Sequence, residues 1–364
     1  MSDFETYLLS VIRGRKGALP SLMRGVLEIL ACVHLIGLEF YLWLYKVRIL
    51  KQKRLPCLVV CVGNITTGGT GKTPLTQTLC HNLKARDQRI VILSRGYGGA
   101  NEHGCAVVSD GERVLLTAQE AGDEAFLLAT SLPGIPVVVG KDRRKTGALA
   151  CERFQPDIIV LDDGMQRWQL HKDVILCLLN ACEPFDNGWV FPRGLLREPK
   201  SHLRRAQVII LTNAKRAGEA TVEALRAEVK HLAPLANIIA TDLVPVAVRT
   251  LEGKEVFPPD WLRGKRVVTI AALGNPASFE GLVESLGGIL VGTHRYRDHA
   301  ALSQTELERV LQEARSVQAD LVLTTEKDAV KLPFAQSTLR IYTLQVRMAL
   351  EEPTLYDWII KALY

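Results

Sequence analysis

The chain has 364 residues, 48% of them hydrophobic and 23% charged, with a formal net charge of +6. Such a composition excludes a disordered chain and leaves ample apolar material for one large or two ordinary domains. The mild positive charge suits phosphorylated ligands or an anionic membrane surface, and nucleic acid would suit it too. Nothing else in the sequence points to nucleic acid or to an obligate protein partner. Eight scattered cysteines form no CxxC pair, which reads as reduced, buried, intracellular thiols and argues against a zinc site.

Residues 26–50, VLEILACVHLIGLEFYLWLYKVRIL, are apolar but interrupted by Glu28, His34 and Glu39. Acidic residues inside a span are costly. Basic flanks and the interfacial aromatics Tyr41, Trp43 and Tyr45 suit a helix lying in the headgroup layer. A core helix and a true span are the alternatives.

From residue 57 onward, continuous Val/Ile/Leu runs alternate with helical stretches. Strands are predicted over 57–62, 89–93, 136–139, 157–161, 174–179 and 207–212. Such runs mark parallel strands buried on both faces. The predicted class is therefore α/β, a P-loop NTPase-like parallel sheet with helices on both faces, whose ligands sit at the carboxyl ends of the strands. A second, smaller α/β region is predicted from about residue 245, with strands over 267–271, 289–292, 320–324 and 339–344. In it, Ser303 and Glu306 read as a capping box opening a helix to about Ser316. The expected organisation is an N-terminal membrane-binding segment (1–55), a P-loop domain (56–244) and a smaller domain closing the substrate cleft (245–346). The C-terminal helix, within 347–364, would pack back on the P-loop domain.

The stretch CVGNITTGGTGKTPLT (61–76) carries the first chemistry. The strict Walker spacing fails, because Thr66 stands six residues before Lys72 where a glycine belongs. Gly68, Gly69, Thr70, Gly71, Lys72 and Thr73 nonetheless retain the half of the loop next to the helix. Glycines let backbone N–H groups crowd round phosphate oxygens. Lys72 would neutralise β/γ phosphates, and Thr73 would hold Mg²⁺. DIIVLDDGMQ supplies an apolar strand ending in Asp162 and Asp163, either of which could take the metal. Two acids at a strand end can also cap a helix or bind an arginine.

Asp123 and Glu124 open a helix in AQEAGDEAFLLA, where acids also belong for electrostatic reasons. A general base for an acceptor hydroxyl is the functional alternative. Arg95 in LSRGYGG and Arg143 in GKDRRKTG follow strands at the ligand edge and could hold a phosphate or headgroup; the second run could equally be a solvated charge cluster. PRGLLREP holds Arg197 and Glu198, and RYRDHAAL holds His299. No [NT]-K-x-D guanine signature is present, which favours ATP.

In chain order, VGNITTGGTGKTP, LSRGYGG, GDEA, VLDDGMQ, GLLREP, DH and TEKDAVKL together resemble the tetraacyldisaccharide 4′-kinases, the lipid A 4′-kinases of Gram-negative bacteria. The likeness runs from about residue 10 to about residue 345. It implies transfer of a phosphoryl group from ATP, with Mg²⁺, to the 4′-hydroxyl of a tetraacylated glucosamine disaccharide 1-phosphate. The site would lie at the cytoplasmic face of the inner membrane, on a peripheral protein among anionic lipids. It further implies that Asp123 is the base, paired with His299, and that Asp162 and Asp163 serve Mg²⁺. Arg197 would lie near the nucleotide phosphates and Glu198 with the metal. Asn64, Arg95, Glu124 and Arg143 are assigned to the substrate. A membrane-associated regulatory ATPase is the rival reading; such proteins commonly carry a lysine where Thr67 stands.

Overall fold

The computed structural model describes residues 3–12, 14–251, 253–273, 276–297, 302–333, 339–350 and 353–362. The chain opens with helices α1 (Asp3–Ile12) and α2 (Ala18–Lys46). It then alternates β1 (Leu58–Asn64), α3 (Lys72–Lys84), β2 (Ile90–Ser94), β3 (Ala106–Ser109), α4 (Ala118–Ala121), α5 (Asp123–Ser131), β4 (Val137–Val139), α6 (Arg143–Phe154) and β5 (Ile158–Asp162). Next come β6 (Val174–Asn180), β7 (Val208–Thr212), α7 (Ala214–Ala217), α8 (Glu219–Leu232) and β8 (Asn237–Ala240). Among the described residues these strands form one eight-stranded sheet, ordered β3-β4-β2-β5-β1-β6-β7-β8. All its pairings are parallel except that of the edge strand β3 with β4.

Alternate residues of the same apolar runs feed two cores, as strand geometry requires. Val60, Val62, Ile92, Val160, Leu176 and Ile210 pack on Leu75, Leu79 and Leu83 of α3 and Leu128 of α5. Val59, Cys61, Val91, Ile159, Cys177 and Ile209 face the other way, onto Ala150 of α6 and Val222, Leu225 and Val229 of α8. The short strands β3 and β8 are not predicted from the sequence. Both lie at the sheet edges, where a strand needs no long apolar run. The expectation of buried cysteines is corrected: Cys32, Cys105 and Cys182 are exposed.

The second sheet takes up the chain at β9 (Leu243–Thr250) and β10 (Val256–Phe257). It continues through β11 (Arg266–Ala271), α9 (Pro276–Ser285), β12 (Ile289–Arg295), α10 (Gln304–Ser316), β13 (Leu321–Thr325), α11 (Glu326–Ala329) and β14 (Ile341–Met348). Its order is β10-β9-β14-β13-β11-β12. Pro245 sits inside β9, opposite Val346 where the register with β14 shifts; a proline is tolerated there because the ladder is already irregular. The Ser303–Glu306 capping box forms in both directions. The end of strand β14, still paired with β9, meets α3, where the Met348 amide donates to Thr78 Oγ1 at 3.1 Å. Helix α12 (Pro353–Lys361) follows and packs Leu355, Tyr356 and Ile359 into the core shared with α3.

Helix α2 is long and apolar enough to cross a membrane by length and composition, with 6% of its most apolar window buried against the protein. That exposure argues against the core-helix alternative. Leu22, Ile29, Val33, Ile36, Phe40 and Trp43 all face outward. The two acids that interrupt the apolar run face the body instead: Glu28 meets Arg193 at 3.0 Å, and Glu39 meets His202 at 2.9 Å.

Candidate active site

Three neighbouring parallel strands end at one edge of the first sheet. β1 ends in Asn64, β2 in Ser94 and β5 in Asp162. From Asn64 the chain turns through 65–71 into α3. Gly68 and Gly71 take φ of 114° and 88°, in the left-handed region that favours glycine. Gly71 is the N-cap of α3, so Lys72 and Thr73 occupy its first turn, where backbone N–H groups are free to meet an anion.

Asn64 is fully buried. Its amide donates to Thr70 Oγ1 at 3.0 Å, and its carbonyl oxygen accepts from Lys72 Nζ at 3.5 Å. Its assignment to the substrate is therefore corrected. The side chain braces the loop from beneath and has no surface left for a sugar. Thr212, at the end of β7, adds a hydroxyl bond to the Thr70 carbonyl at 3.2 Å.

Lys72 Nζ also lies 3.8 Å from Asp163. Arg197 Nη1 reaches both oxygens of that carboxylate at 2.9 Å. Burial alone would raise the Asp163 carboxyl; the charges of Lys72 and Arg197 outweigh it and hold the group below the usual carboxylate range. Asp162 is in the opposite condition. It is buried, and its partners are hydroxyls: Thr76 at 3.2 Å and Ser94 at 3.3 Å. Burial first, then the nearby charges of Glu124 and Asp163, push it up to about 7 against the pull of Lys72. Neighbouring acids of one sequence pair are thus set apart by environment.

Glu198 does not join them. Its Oε1 accepts from Gln166 at 2.8 Å, and its Oε2 from His202 at 2.8 Å and from Arg205. Glu198 is 1% exposed with its oxygens taken by three different protein groups, whereas Asp163 stays 29% exposed beside Arg197; Glu198 is an internal anchor, and the expectation that it ligates metal is corrected. Sequence reasoning missed Gln166, which bridges Glu198 to the Asn64 backbone carbonyl at 2.9 Å. Its position right after DDGM was the available signal.

Asp123 begins α5, after Gly122 with φ of 81°. A Cβ at Gly122 would lie 2.7 Å from the Tyr97 carbonyl, and one at Gly99 would lie 2.4 Å from the Gly122 amide. These glycines let the GYGG and GDEA turns touch, which brings Arg95 and Tyr97 beside the start of α5. Arg95 donates to Glu102 at 2.7 Å and lies over the Tyr97 ring. Arg143, read either as a phosphate or headgroup contact or as part of a solvated charge run, is buried; one terminal nitrogen donates to the Gly140 carbonyl, while Nε and the other terminal nitrogen have no partner among the described residues. Burial and the charge of Arg167 push its guanidinium down to about 10. Arg167 is a further residue that sequence reasoning missed.

From the second sheet, Lys331 Nζ reaches Asp123 Oδ2 at 2.8 Å, an ion pair rather than an aligned hydrogen bond. His299 lies outside the described residues.

The family model of tetraacyldisaccharide-1-P 4′-kinase (LpxK) matches residues 23–364. The chain belongs to the LpxK family. Tetraacyldisaccharide 4′-kinase of Halothermothrix orenii is 34% identical over 364 residues, covering 95% of this chain and 94% of that protein. The Geobacter metallireducens protein of the same name is 37% identical over 336 residues, covering 92% and 96%. Among solved structures, LpxK from Aquifex aeolicus in complex with ATP superposes with a TM-score of 0.74 at 28% identity, over 94% of this chain and 100% of that one. The departure from Walker spacing at Thr66 thus sits in an LpxK-family chain whose fold matches a structure holding ATP.

Proposed function

We propose that this LpxK-family chain is an ATP-dependent lipid kinase that phosphorylates the 4′-hydroxyl of tetraacyldisaccharide 1-phosphate. The observation that carries the reading is a glycine-rich loop between the buried strand β1 and α3, with a separate carboxylate, Asp123, opening α5, in a chain of the LpxK family. Asp123 accepts the hydroxyl proton as the new O–P bond forms and the bond from the γ-phosphorus to the bridging oxygen breaks, releasing ADP. Lys72 and the loop amides of 68–73 hold the phosphates in line. Arg197 keeps Asp163 ionised and oriented.

The donor set fits Mg²⁺. Among the described residues Asp162 is a buried carboxylate whose hydrogen-bond partners are hydroxyls, with Glu124 and Asp163 outweighing Lys72 around it, and a divalent cation would relieve that mismatch. Thr73, Asp162 and Asp163 would hold it, and it would neutralise charge on the β- and γ-phosphates. Arg95, Glu124, Arg143 and Arg167 are assigned to the acceptor, because Arg143 feels the charges of Arg95 and Arg167, and Glu124 that of Asp162; Arg143 offers donors with no partner among the described residues to an anionic group. His299 is assigned by resemblance to orient Asp123. The first sheet carries the nucleotide and the second closes over the acceptor. The outward face of α2 lies in the headgroup layer among anionic lipids at the cytoplasmic face of the inner membrane, which places the acyl chains beside the site.

The test is transfer of ³²P from γ-labelled ATP to tetraacyldisaccharide 1-phosphate in detergent micelles, with Asp123→Ala and Lys72→Ala beside the wild type. Label in the lipid, lost by orders of magnitude in both variants, supports the kinase. ATP hydrolysis without labelled lipid overturns it in favour of a regulatory ATPase.

A further inference from the structure

The two acids of α2 do more than fasten a lipid-facing helix. Each begins a chain of contacts that ends at the phosphate loop. Glu28 and Glu39 are eleven positions apart, three helical turns, and so share one face with Ala31 and Leu35, which pack on the first sheet's core.

The first route starts at Glu28, which accepts from Arg193 Nε at 3.0 Å. Arg193 also donates to the Ile12 carbonyl of α1 at 3.2 Å. Arg193 belongs to the segment 187–198, which runs against the phosphate loop as a strap. The Thr67 amide donates to the Leu195 carbonyl at 2.8 Å, and the Arg197 amide to the Ile65 carbonyl at 2.7 Å. Thr66 and Leu196 form a β-bridge between these two bonds.

The second route starts at Glu39, 2.9 Å from His202 Nε2. The other ring nitrogen of His202 is 2.8 Å from Glu198. Glu198 accepts from Gln166, whose amide also donates to the Asn64 carbonyl at 2.9 Å. The two routes share no side chain, yet both end within Asn64–Thr67, the entry to the phosphate loop.

We propose that Glu28 and Glu39 are positioning residues for the nucleotide. Seated on the body through Arg193 and His202, they hold the phosphate loop in its anion-binding shape. The helix that meets the lipid is thereby a structural part of the ATP site. The strap backbone and the Glu198–Gln166 pair both fix the loop entry; releasing α2 frees it and weakens the phosphate cradle. The inference rests on the nucleotide-binding reading of 64–73 and is independent of which acceptor receives the phosphoryl group.

The experiment is calorimetric titration of Mg-ATP into the full-length protein in detergent micelles, without lipid substrate. The variants are Glu28→Gln, Glu39→Gln and the double variant. Glu152→Gln on α6 serves as a charge-matched control. Glu28 and Glu39 are half exposed, so their neutral isosteres are compatible with folding. The expected result is an ATP Kd raised about threefold in each single variant and about tenfold or more in the double variant. The stoichiometry stays unchanged, and the control matches the wild type. Partial unfolding would instead lower the stoichiometry and leave the Kd of the remaining sites alone, which overturns the positioning role. A double variant within twofold of the wild type overturns it as well, while leaving the kinase reading intact. A wild type that binds no ATP overturns both.

Discussion

Lys331 Nζ and Asp123 Oδ2 stand 2.8 Å apart, so a cation from the second sheet's chain pairs with the carboxylate that begins α5 on the first. The contact is built by α11, which leaves β13 through a Thr325 cap and packs on α5. Glu326 of the same helix takes Arg347 at 2.8 Å, and Arg347 in turn donates to Gln77 of α3 at 3.2 Å. The TEKDAVKL segment therefore reaches α5 directly and α3 through Arg347.

Removing that cation should damage catalysis more than nucleotide binding. Lys331→Met is expected to lower kcat roughly ten- to a hundredfold with little change in the KM for ATP. Lys331→Arg should restore part of it, because the charge returns with a different reach. Steady-state kinetics on the lipid acceptor decide this; a rise in the KM for ATP with unchanged kcat would contradict it.

The raised pKa of Asp162 predicts a pH-dependent stability. Its folded value of about 7 exceeds the ordinary 3.8, so the folded state holds a proton that the unfolded state has lost. The resulting penalty is absent below about pH 4, grows as pH rises, and is complete above about pH 7, on the order of a few kcal/mol. Asp162→Asn removes it. In metal-free buffer the variant should melt above the wild type at pH 8, with the gap narrowing toward pH 5. A constant gap across that range would refute the assignment.

Two loop glycines should respond differently. Gly71 has φ of 88°, and a Cβ there would approach the Met348 methyl at 3.0 Å. Gly69 has an ordinary φ and open space around it. Gly71→Ala is expected to cost about 1–2 kcal/mol through left-handed strain and to weaken ATP binding. Gly69→Ala should leave the melting temperature within a degree or so. Thermal melts of both variants are the check.

The C-terminal helix should be needed for a firm α3. Ile359 is fully buried against that helix's core. Ile359→Ala is expected to cost about 2–4 kcal/mol by the lost burial and the cavity left behind. Hydrogen exchange should then rise along α3 ahead of the second sheet.

Much of this site was legible in the chain because its signals are local. Continuous apolar runs specify strands buried on both faces, whatever they pair with. Clustered glycines before Lys72 specify a tight turn into a helix, which suits a phosphate loop as well as a plain glycine-rich turn, and the ordered motifs carried the family. What the sequence could not show depends on which distant segments meet. Glu28 and Glu39 read as faults in a membrane helix until packing set them against Arg193 and His202. Glu198 read as a metal ligand until His202, Arg205 and Gln166 were found around it. Asn64 read as a substrate contact until the closing of β1 between β5 and β6 buried it. Lys331 lay in the TEKDAVKL motif, but nothing near it in sequence pointed to Asp123. A hydrophobic period or a φ preference is a property of neighbours along the chain. The partner of a charge is chosen by topology, and only the tertiary structure decides it.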